Sequence, residues 1–284
     1  IRRLLEVLES KFDTAIAYPN PVVARISFGL GRPYIALTDS PHSEAVSRLS
    51  LPLAEYVVIS ECIPVQAIEN YVYKPKTRIL QYRGVDEVEW LKDLSPSEEY
   101  VRSLGLEPYN YVVVRPPELS ATYYRGREYV LNIFADFLTK ILNTDMKIIY
   151  MPRYKEDPIT SMLRLEDRPN VFIPPPSEGI IGHHVLYYAL AVVTGGGTMA
   201  REAALLGTPG ITFFPEELYV NKCLQNLGLP LVKCVRAEEA IDIISAHRRD
   251  PEKNKSYALS LLKSFEKPSD VLLKLLKSGS LWAQ

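Results

Sequence analysis

The chain has 284 residues, of which 47% are hydrophobic and 24% charged, and its 33 basic and 34 acidic side chains leave a formal net charge of -1. That composition is ordinary for a chain that builds a packed core, and it excludes the basic footprint of a general nucleic-acid binder. No apolar run reaches the roughly 18 residues a membrane-spanning helix needs, and at about 100–200 residues per domain the length suggests two domains.

The chain opens on Ile1 rather than Met, inside a helical pattern of Ile1, Leu4, Leu5 and Leu8, so a preceding segment is expected. No signal peptide is visible. Short β-like runs then alternate with amphipathic segments of helical length, the pattern of βα units around a mainly parallel sheet. In the first half the strands are expected at Thr14–Tyr18, Tyr34–Leu37, Tyr56–Ser60 and Arg78–Tyr82, with helices at Val22–Leu30, His42–Leu53 and Val65–Val72. Gly29, Gly31 and Pro33 punctuate the first helix–strand junction as a helix stop does. Residues Asp86–Pro108 read as a charged, loop-like stretch, and the domain boundary is placed there, giving an N-terminal domain of 1–84 and a C-terminal domain of 108–284.

A second series starts with strand Tyr111–Arg115 and continues with helix Arg127–Leu142, strand Met146–Met151 and a polar stretch from Pro152 to Asn170. Strand Val171–Ile173, helix Ile181–Ala189, strand Leu190–Thr194, helix Thr198–Leu206, strand Ile211–Phe214 and helix Glu217–Leu227 follow. Leu231–Val235 and helices after Ala237 complete the chain. Cys62, Cys223 and Cys234 lie far apart with no CxxC pair. That spacing indicates neither a zinc site nor a disulfide framework, and it is the one expected in a reducing cytoplasm.

One segment carries the most chemistry. The strand ending at Thr194 runs into Gly195, Gly196 and Gly197, and a helix begins at Thr198 and Met199, with Thr198 at the expected N-cap. Glycines let the backbone turn tightly and let a ligand approach it, and the first helical turn leaves amides unpaired and partly positive. A phosphate or carboxylate is favoured at such a mouth, and open parallel sheets bind ligands beyond the carboxyl ends of their strands. The structural alternative is a strand–helix turn whose glycines serve packing. The segment is not a Walker loop, because the Lys-Ser/Thr ending is absent.

Arg115 and Arg153 follow successive strands at their carboxyl ends, where a guanidinium fork suits a phosphate; either could instead be a surface arginine. Asp39 and His42 follow the strand at Tyr34. They pair a carboxylate with an imidazole that titrates near neutrality, a general-base arrangement, while capping by Asp39 or Ser40 is the structural alternative. His183 and His184 lack the spacing of a metalloprotease site and are read as helix-surface packing.

The run Gly195-Gly196-Gly197-Thr198-Met199-Ala200-Arg201-Glu202-Ala203-Ala204-Leu205-Leu206-Gly207-Thr208-Pro209 resembles the donor-phosphate helix of GT-B glycosyltransferases and UDP-N-acetylglucosamine 2-epimerases. More closely the chain resembles a largely archaeal family, domain of unknown function 354, described as glycosyltransferase-like. Phe28-Gly29-Leu30-Gly31-Arg32-Pro33, Asp39-Ser40-Pro41-His42-Ser43-Glu44-Ala45 and Val112-Val113-Val114-Arg115-Pro116-Pro117 support that likeness, which covers roughly residues 13–230.

The resemblance implies an α/β, GT-B-like fold of two Rossmann-like domains with mainly parallel sheets facing across a cleft, with terminal helices crossing back. It also implies that one or two strand–helix units of full members precede this chain. The expected activity is transfer of a sugar from a nucleotide-sugar donor, a UDP-sugar, to an acceptor hydroxyl on a sugar or lipid. No cofactor or metal is expected, since no DxD-type motif is visible. In this family setting Arg201, Glu202 and Glu216 are candidates for ribose or sugar hydroxyls. The alternatives are a UDP-sugar 2-epimerase, whose usual Asp-Ser-Gly-Gly turn is replaced here by Thr194-Gly195-Gly196-Gly197, and a non-catalytic nucleotide-sugar-binding protein. Lipid-linked acceptors leave peripheral membrane contact open, and oligomeric state is not read from the sequence.

Overall fold

The computed structural model describes residues 12–118, 124, 126–127, 129–154, 156–175 and 180–278. The helical pattern read at Ile1–Leu8 lies outside them. The chain divides into two compact units, residues 1–89 with 265–284 and residues 90–264.

The first unit is built on a four-stranded, all-parallel sheet in the order β1 (Ala15–Ala17), β2 (Tyr34–Leu37), β3 (Tyr56–Ser60) and β4 (Arg78–Tyr82). β2 and β3 are buried along their whole length, which is why they read as unbroken apolar runs rather than alternating ones. Helix Pro21–Gly29 starts where Asn20 accepts the amides of Val22 and Val23 at 2.9 and 3.1 Å, with Pro21 pre-set at the first position. It ends before Gly31, whose φ of 61° suits only a residue without a Cβ.

Two expected helices of this unit are shorter than the sequence suggests. His42–Leu53 resolves into helix Glu44–Ser50 and a 3-10 turn at Leu51–Leu53, and Val65–Val72 into one turn at Gln66–Glu69. Pro52 at the second position of the 3-10 turn supplies no amide to continue the ladder. The sheet is covered from far along the chain. Helix Pro268–Lys277 places Val271, Leu272, Leu275 and Leu276 against Ile35, Leu37, Tyr56, Val58 and Tyr82.

The second unit holds a six-stranded parallel sheet in the order β10-β9-β8-β5-β6-β7. Its strands are β5 (Tyr111–Arg115), β6 (Lys147–Tyr150), β7 (Val171–Phe172), β8 (Ala191–Thr194), β9 (Gly210–Thr212) and β10 (Leu231–Lys233). Counted within the unit the order is 3-2-1-4-5-6, the doubly wound Rossmann arrangement, with its topological switch point between β5 and β8. Helix Tyr129–Leu142 buries Val130, Phe134, Phe137, Leu138 and Ile141 on one face, the three-to-four spacing of an amphipathic helix. That face packs with helix Ala237–His247 and the central strands in one continuous core.

The stretch 86–108 is more structured than a loop. It contains helices Val88–Leu91 and Glu98–Ser103, the second capped by the Ser97 hydroxyl accepting the Tyr100 amide at 3.1 Å. The polar stretch after Pro152 likewise contains helix Pro158–Leu163, with Asp157 as its cap. No helix among the described residues is long and apolar enough to cross a membrane.

Candidate anion site at the sheet switch point

β5 and β8 end side by side, with Arg115 and Thr194 as register partners. Both strands stop at the switch point, where diverging connections leave a crevice at the sheet edge. The glycine turn begins there. The Gly195 amide donates to the Arg115 carbonyl oxygen at 3.2 Å, and the Tyr124 hydroxyl donates to the Gly195 carbonyl. A Cβ on Gly195 would stand 2.4 Å from Pro117 Cα, so only glycine fits beneath that proline.

Gly196 donates its amide to Thr194 Oγ1 at 3.0 Å, and its carbonyl accepts the Thr212 hydroxyl at 2.8 Å. A Cβ there would meet only Arg153 Nη2, at 3.4 Å, and Thr194 Oγ1, at 3.8 Å. The outer side of Gly196 is thus open except for an arginine.

The helix spans Thr198–Leu205 and begins at the residue the sequence gives it, but with a different cap. Gly197 occupies the N-cap and Thr198 is the first helical residue, so Thr198 is not the cap. Its hydroxyl instead accepts from Arg201 Nη2 at 3.3 Å. Among the described residues none accepts a hydrogen bond from the amides of Thr198, Met199 and Ala200, and the first bond of the helix runs from Arg201 to the Gly197 carbonyl. Thr198 is exposed, and Gly196, Gly197 and Met199 are half-buried. Ala200 is buried, so the unpaired amides of Thr198 and Met199 are the ones on accessible residues at the helix mouth, the arrangement that favours an anion.

Three arginines add charge around this mouth. Arg115 is part-buried, and burial together with neighbouring Arg153 holds its guanidinium pKa below the usual value. Among the described residues its side chain makes no ion pair. A buried cation beside a like charge gains when an anion arrives. Arg153 donates Nε to the Pro116 carbonyl at 2.7 Å and lies 3.8 Å from the Glu118 carboxylate. Arg201, 3% exposed, lies directly behind the turn: its Nη1 reaches Asn221 Oδ1 at 3.4 Å and would stand 2.8 Å from a Cβ on Gly197. The resemblance makes Arg201 a candidate for ligand hydroxyls, but its side chain is buried against Gly197 and reaches Asn221.

The acidic candidates are held by partners. Glu202 Oε1 accepts the Trp90 indole N–H at 2.8 Å and lies 3.6 Å from His183 Nε2. Glu216 lies in the loop before helix Tyr219–Asn226 and is bonded to Arg127 at 2.7 Å. The two histidines do more than pack on a surface. His184 Nδ1 accepts the Ser97 amide at 3.0 Å, while His183 faces Glu202.

Asp39 and His42 belong to the first unit. Asp39 is part-buried and accepts the Ser40 hydroxyl at 2.6 Å, whereas His42 is exposed. Neither Asp39 nor Ser40 caps the following helix, whose N-cap position is Ser43 without a side-chain cap bond. The capping alternative therefore falls away for both.

Sequence reasoning missed Tyr124, Trp90, Arg127 and a cavity of about 650 Å³ beyond β6 and β7. Met151, Arg153, Ile173, Pro174, Pro175 and Ile180 line it, a volume in the range of small-molecule sites. The run of three prolines at 174–176 after a strand was the one available signal. Among the described residues no group of three or more His, Cys, Asp and Glu side chains is arranged to hold a metal.

Taken together, two Rossmann-like α/β units with parallel sheets define a GT-B-like chain, and the second of them carries an arginine-flanked helix mouth at its switch point. The chain belongs to the family described as Protein of unknown function (DUF354), whose model matches residues 4–277. It is 30% identical over 214 residues to the uncharacterized protein MJ0665 of Methanocaldococcus jannaschii, covering 73% of this chain and 59% of that protein. The chain thus spans less than two thirds of that relative's length.

Among solved structures it is similar to the M. jannaschii UDP-GlcNAc 2-epimerase in complex with UDP-GlcNAc and UDP. That match has a TM-score of 0.67 at 14% identity, covering 98% of this chain and 78% of the other. Anabaena Alr3699/HepE in complex with UDP and glucose matches with a TM-score of 0.62 at 17% identity, over 98% and 80% of the two chains. At such identities the likeness shows the fold.

Proposed function

We propose that the second unit binds the diphosphate of a nucleotide sugar at the glycine turn, and that the protein transfers the sugar to an acceptor hydroxyl. The observation that carries this reading is the pair of unpaired amides of Thr198 and Met199, on accessible residues at the switch point that also carries Arg115 and Arg153. Diphosphate oxygens take the amides, and the arginines stabilise the charge that builds on the leaving nucleoside diphosphate. That is electrostatic catalysis, and the reading assigns no step to a metal or cofactor. UDP is the nucleotide of choice because the similar structures named above were solved with it. Arg153 both stands against Gly196 and lines the 650 Å³ cavity, so the nucleoside end extends along Arg153 into that space.

In the first unit, Asp39 already holds the Ser40 hydroxyl, which leaves exposed His42 as the base toward the acceptor. The acceptor is a hydroxyl on a sugar or on a lipid-linked carrier.

Epimerisation of a UDP-sugar is the second reading, favoured by the fold match to the 2-epimerase. Against it stands Thr194, whose hydroxyl is spent on the Gly196 amide where the epimerase turn begins with aspartate. Incubation with UDP-sugars and candidate acceptors separates the readings. Free UDP with a glycosylated product supports transfer, and an isomeric UDP-sugar supports epimerisation. Binding without turnover would leave a nucleotide-sugar-binding protein.

A further inference from the structure

The two ends of β9 meet different chemistry. At its carboxyl end the Thr212 hydroxyl holds the Gly196 carbonyl of the glycine turn at 2.8 Å. At its amino end Pro209, the residue before Gly210, lines a separate cavity of about 500 Å³. Three residues of strand, about 10 Å, lie between the two places. Val232 of β10 and Ile243 of helix Ala237–His247 add apolar lining, and His247, Arg249, Asp250 and Lys253 add polar lining. Two features set this hollow apart. His247 is 8% exposed, and its Nε2 has no hydrogen-bond partner among the described residues, whereas buried polar groups are nearly always paired. Burial, and then the Lys255 ammonium, hold the imidazole pKa below the usual histidine value, while Asp250 and a bond to the Pro251 backbone act the other way. Arg249 and Lys253 are exposed and make no ion pair among the described residues, although neighbouring Arg248 grips Asp145 through two bonds at 3.0 and 2.8 Å.

We propose that this cavity is a second ligand site, one that takes a small organic anion made of a carboxylate on an apolar body. Arg249 and Lys253 receive the carboxylate, Val232 and Ile243 cover the body, and His247 supplies the buried hydrogen-bonding group. The charged lining is two cations against the one carboxylate of Asp250, so an anion is attracted and a cation is not. A negative group beside His247 also offsets the Lys255 charge that disfavours its protonated form. The apolar lining explains why a bare ion is not enough. A cavity of this volume, mostly apolar with a few convergent polar groups, holds a ligand by its body and orients it by its charge. The site stands independently of the glycine turn and of any nucleotide bound there.

The test titrates the full chain with benzoate, benzyl alcohol and inorganic phosphate, which carry charge and body, body alone and charge alone. The readout is the nuclear magnetic resonance of the imidazoles, of which the chain has four. The His247 signal is the one lost in His247→Gln; if that variant fails to fold, variants of His42, His183 and His184 identify it by elimination. Benzoate is expected to shift the His247 signal to saturation, with benzyl alcohol and phosphate each binding at least about tenfold more weakly. Arg249→Gln and Lys253→Gln, at exposed positions, are each expected to weaken benzoate by about tenfold, the scale of one lost charge-assisted hydrogen bond, with the circular dichroism spectrum unchanged. Benzyl alcohol binding as tightly as benzoate overturns the role of the cations, and phosphate binding as tightly overturns the role of the apolar lining. A His247 signal that stays still while another moves puts the anion elsewhere. Undiminished benzoate affinity in both glutamine variants, or no binding of any of the three, overturns the proposal outright.

Discussion

Gly210 at the start of β9 lies so close beneath Ala200 that a Cβ built on it would stand 2.0 Å from the Ala200 carbonyl oxygen. The glycine-turn helix therefore rests directly on strand backbone, and its mouth is aimed by that contact as well as by its own glycines. Gly210→Ala is expected to displace the helix and to cost about 1–3 kcal/mol of stability, with the loss visible in urea unfolding. Wild-type stability in that variant would show that the contact does not set the helix position.

The three glycines of the turn differ in what they exclude. Gly195→Ala forces a methyl into Pro117 and should destabilise the fold, while Gly196→Ala meets nothing closer than 3.4 Å and should not. Gly196→Asp should leave a folded protein that no longer binds nucleotide, since it sets a negative charge where the phosphates belong. Circular dichroism with calorimetric titration reads both effects, and retained affinity in a folded Gly196→Asp protein would remove the phosphates from this turn.

Arg115→Ala and Arg153→Ala are each expected to weaken nucleoside diphosphate binding by about tenfold to a hundredfold, the range of lost charge-assisted hydrogen bonds. The wild-type affinity should also fall with added salt, as partly exposed charges are screened. If Arg115→Ala binds UDP as tightly as the wild type, the arginine serves the sheet edge rather than the ligand.

For His42→Ala the expectation is a fall in turnover of about a hundredfold or more with donor affinity retained, as befits a residue that handles only the acceptor proton. Steady-state rates and direct titration together decide it. Undiminished turnover would take His42 out of the base role.

Lys255 gives a pH prediction of another kind. It is 6% exposed, donates to Thr208 Oγ1 at 2.7 Å and to the Tyr187 carbonyl, and burial pulls its ammonium down from 10.5 to about 7. Between those two values the unfolded chain binds a proton that the folded one does not. Stability should therefore rise with pH across that window, by at most ~1.4 kcal/mol per pH unit from this group. Urea unfolding at several pH values in the wild type and in Lys255→Met checks it; an identical slope in both would assign the effect elsewhere.

Much of this was written in the order of residues. β2, β3, β4 and β5 lie where Tyr34–Leu37, Tyr56–Ser60, Arg78–Tyr82 and Tyr111–Arg115 place them, because apolar runs bounded by turn residues admit little else. The glycine turn was legible for the same local reason. Other features depend on distance along the chain or on polar local signals. The bond from Trp90 to Glu202 and the packing of Arg201 under Gly197 arise only when remote segments meet. Helix Pro158–Leu163 was hidden because its apolar face is short, although Asp157 followed by Pro158 is itself a start signal. Thr198 suits an N-cap by residue type, yet Gly197 occupies that position and Thr198 is the first helical residue.

The helix Pro268–Lys277, which lays Leu275 on β2, β3 and β4, has a consequence for how the protein is made. During synthesis the strands of the first sheet leave the ribosome early but keep a bare oily face until residue 277 has emerged. The intervening residues 90–264 own all the parts of their sheet by then. The later-made body therefore completes itself before the earlier-made one, and a ribosome stalled between these points displays an unfinished half that a chaperone would recognise.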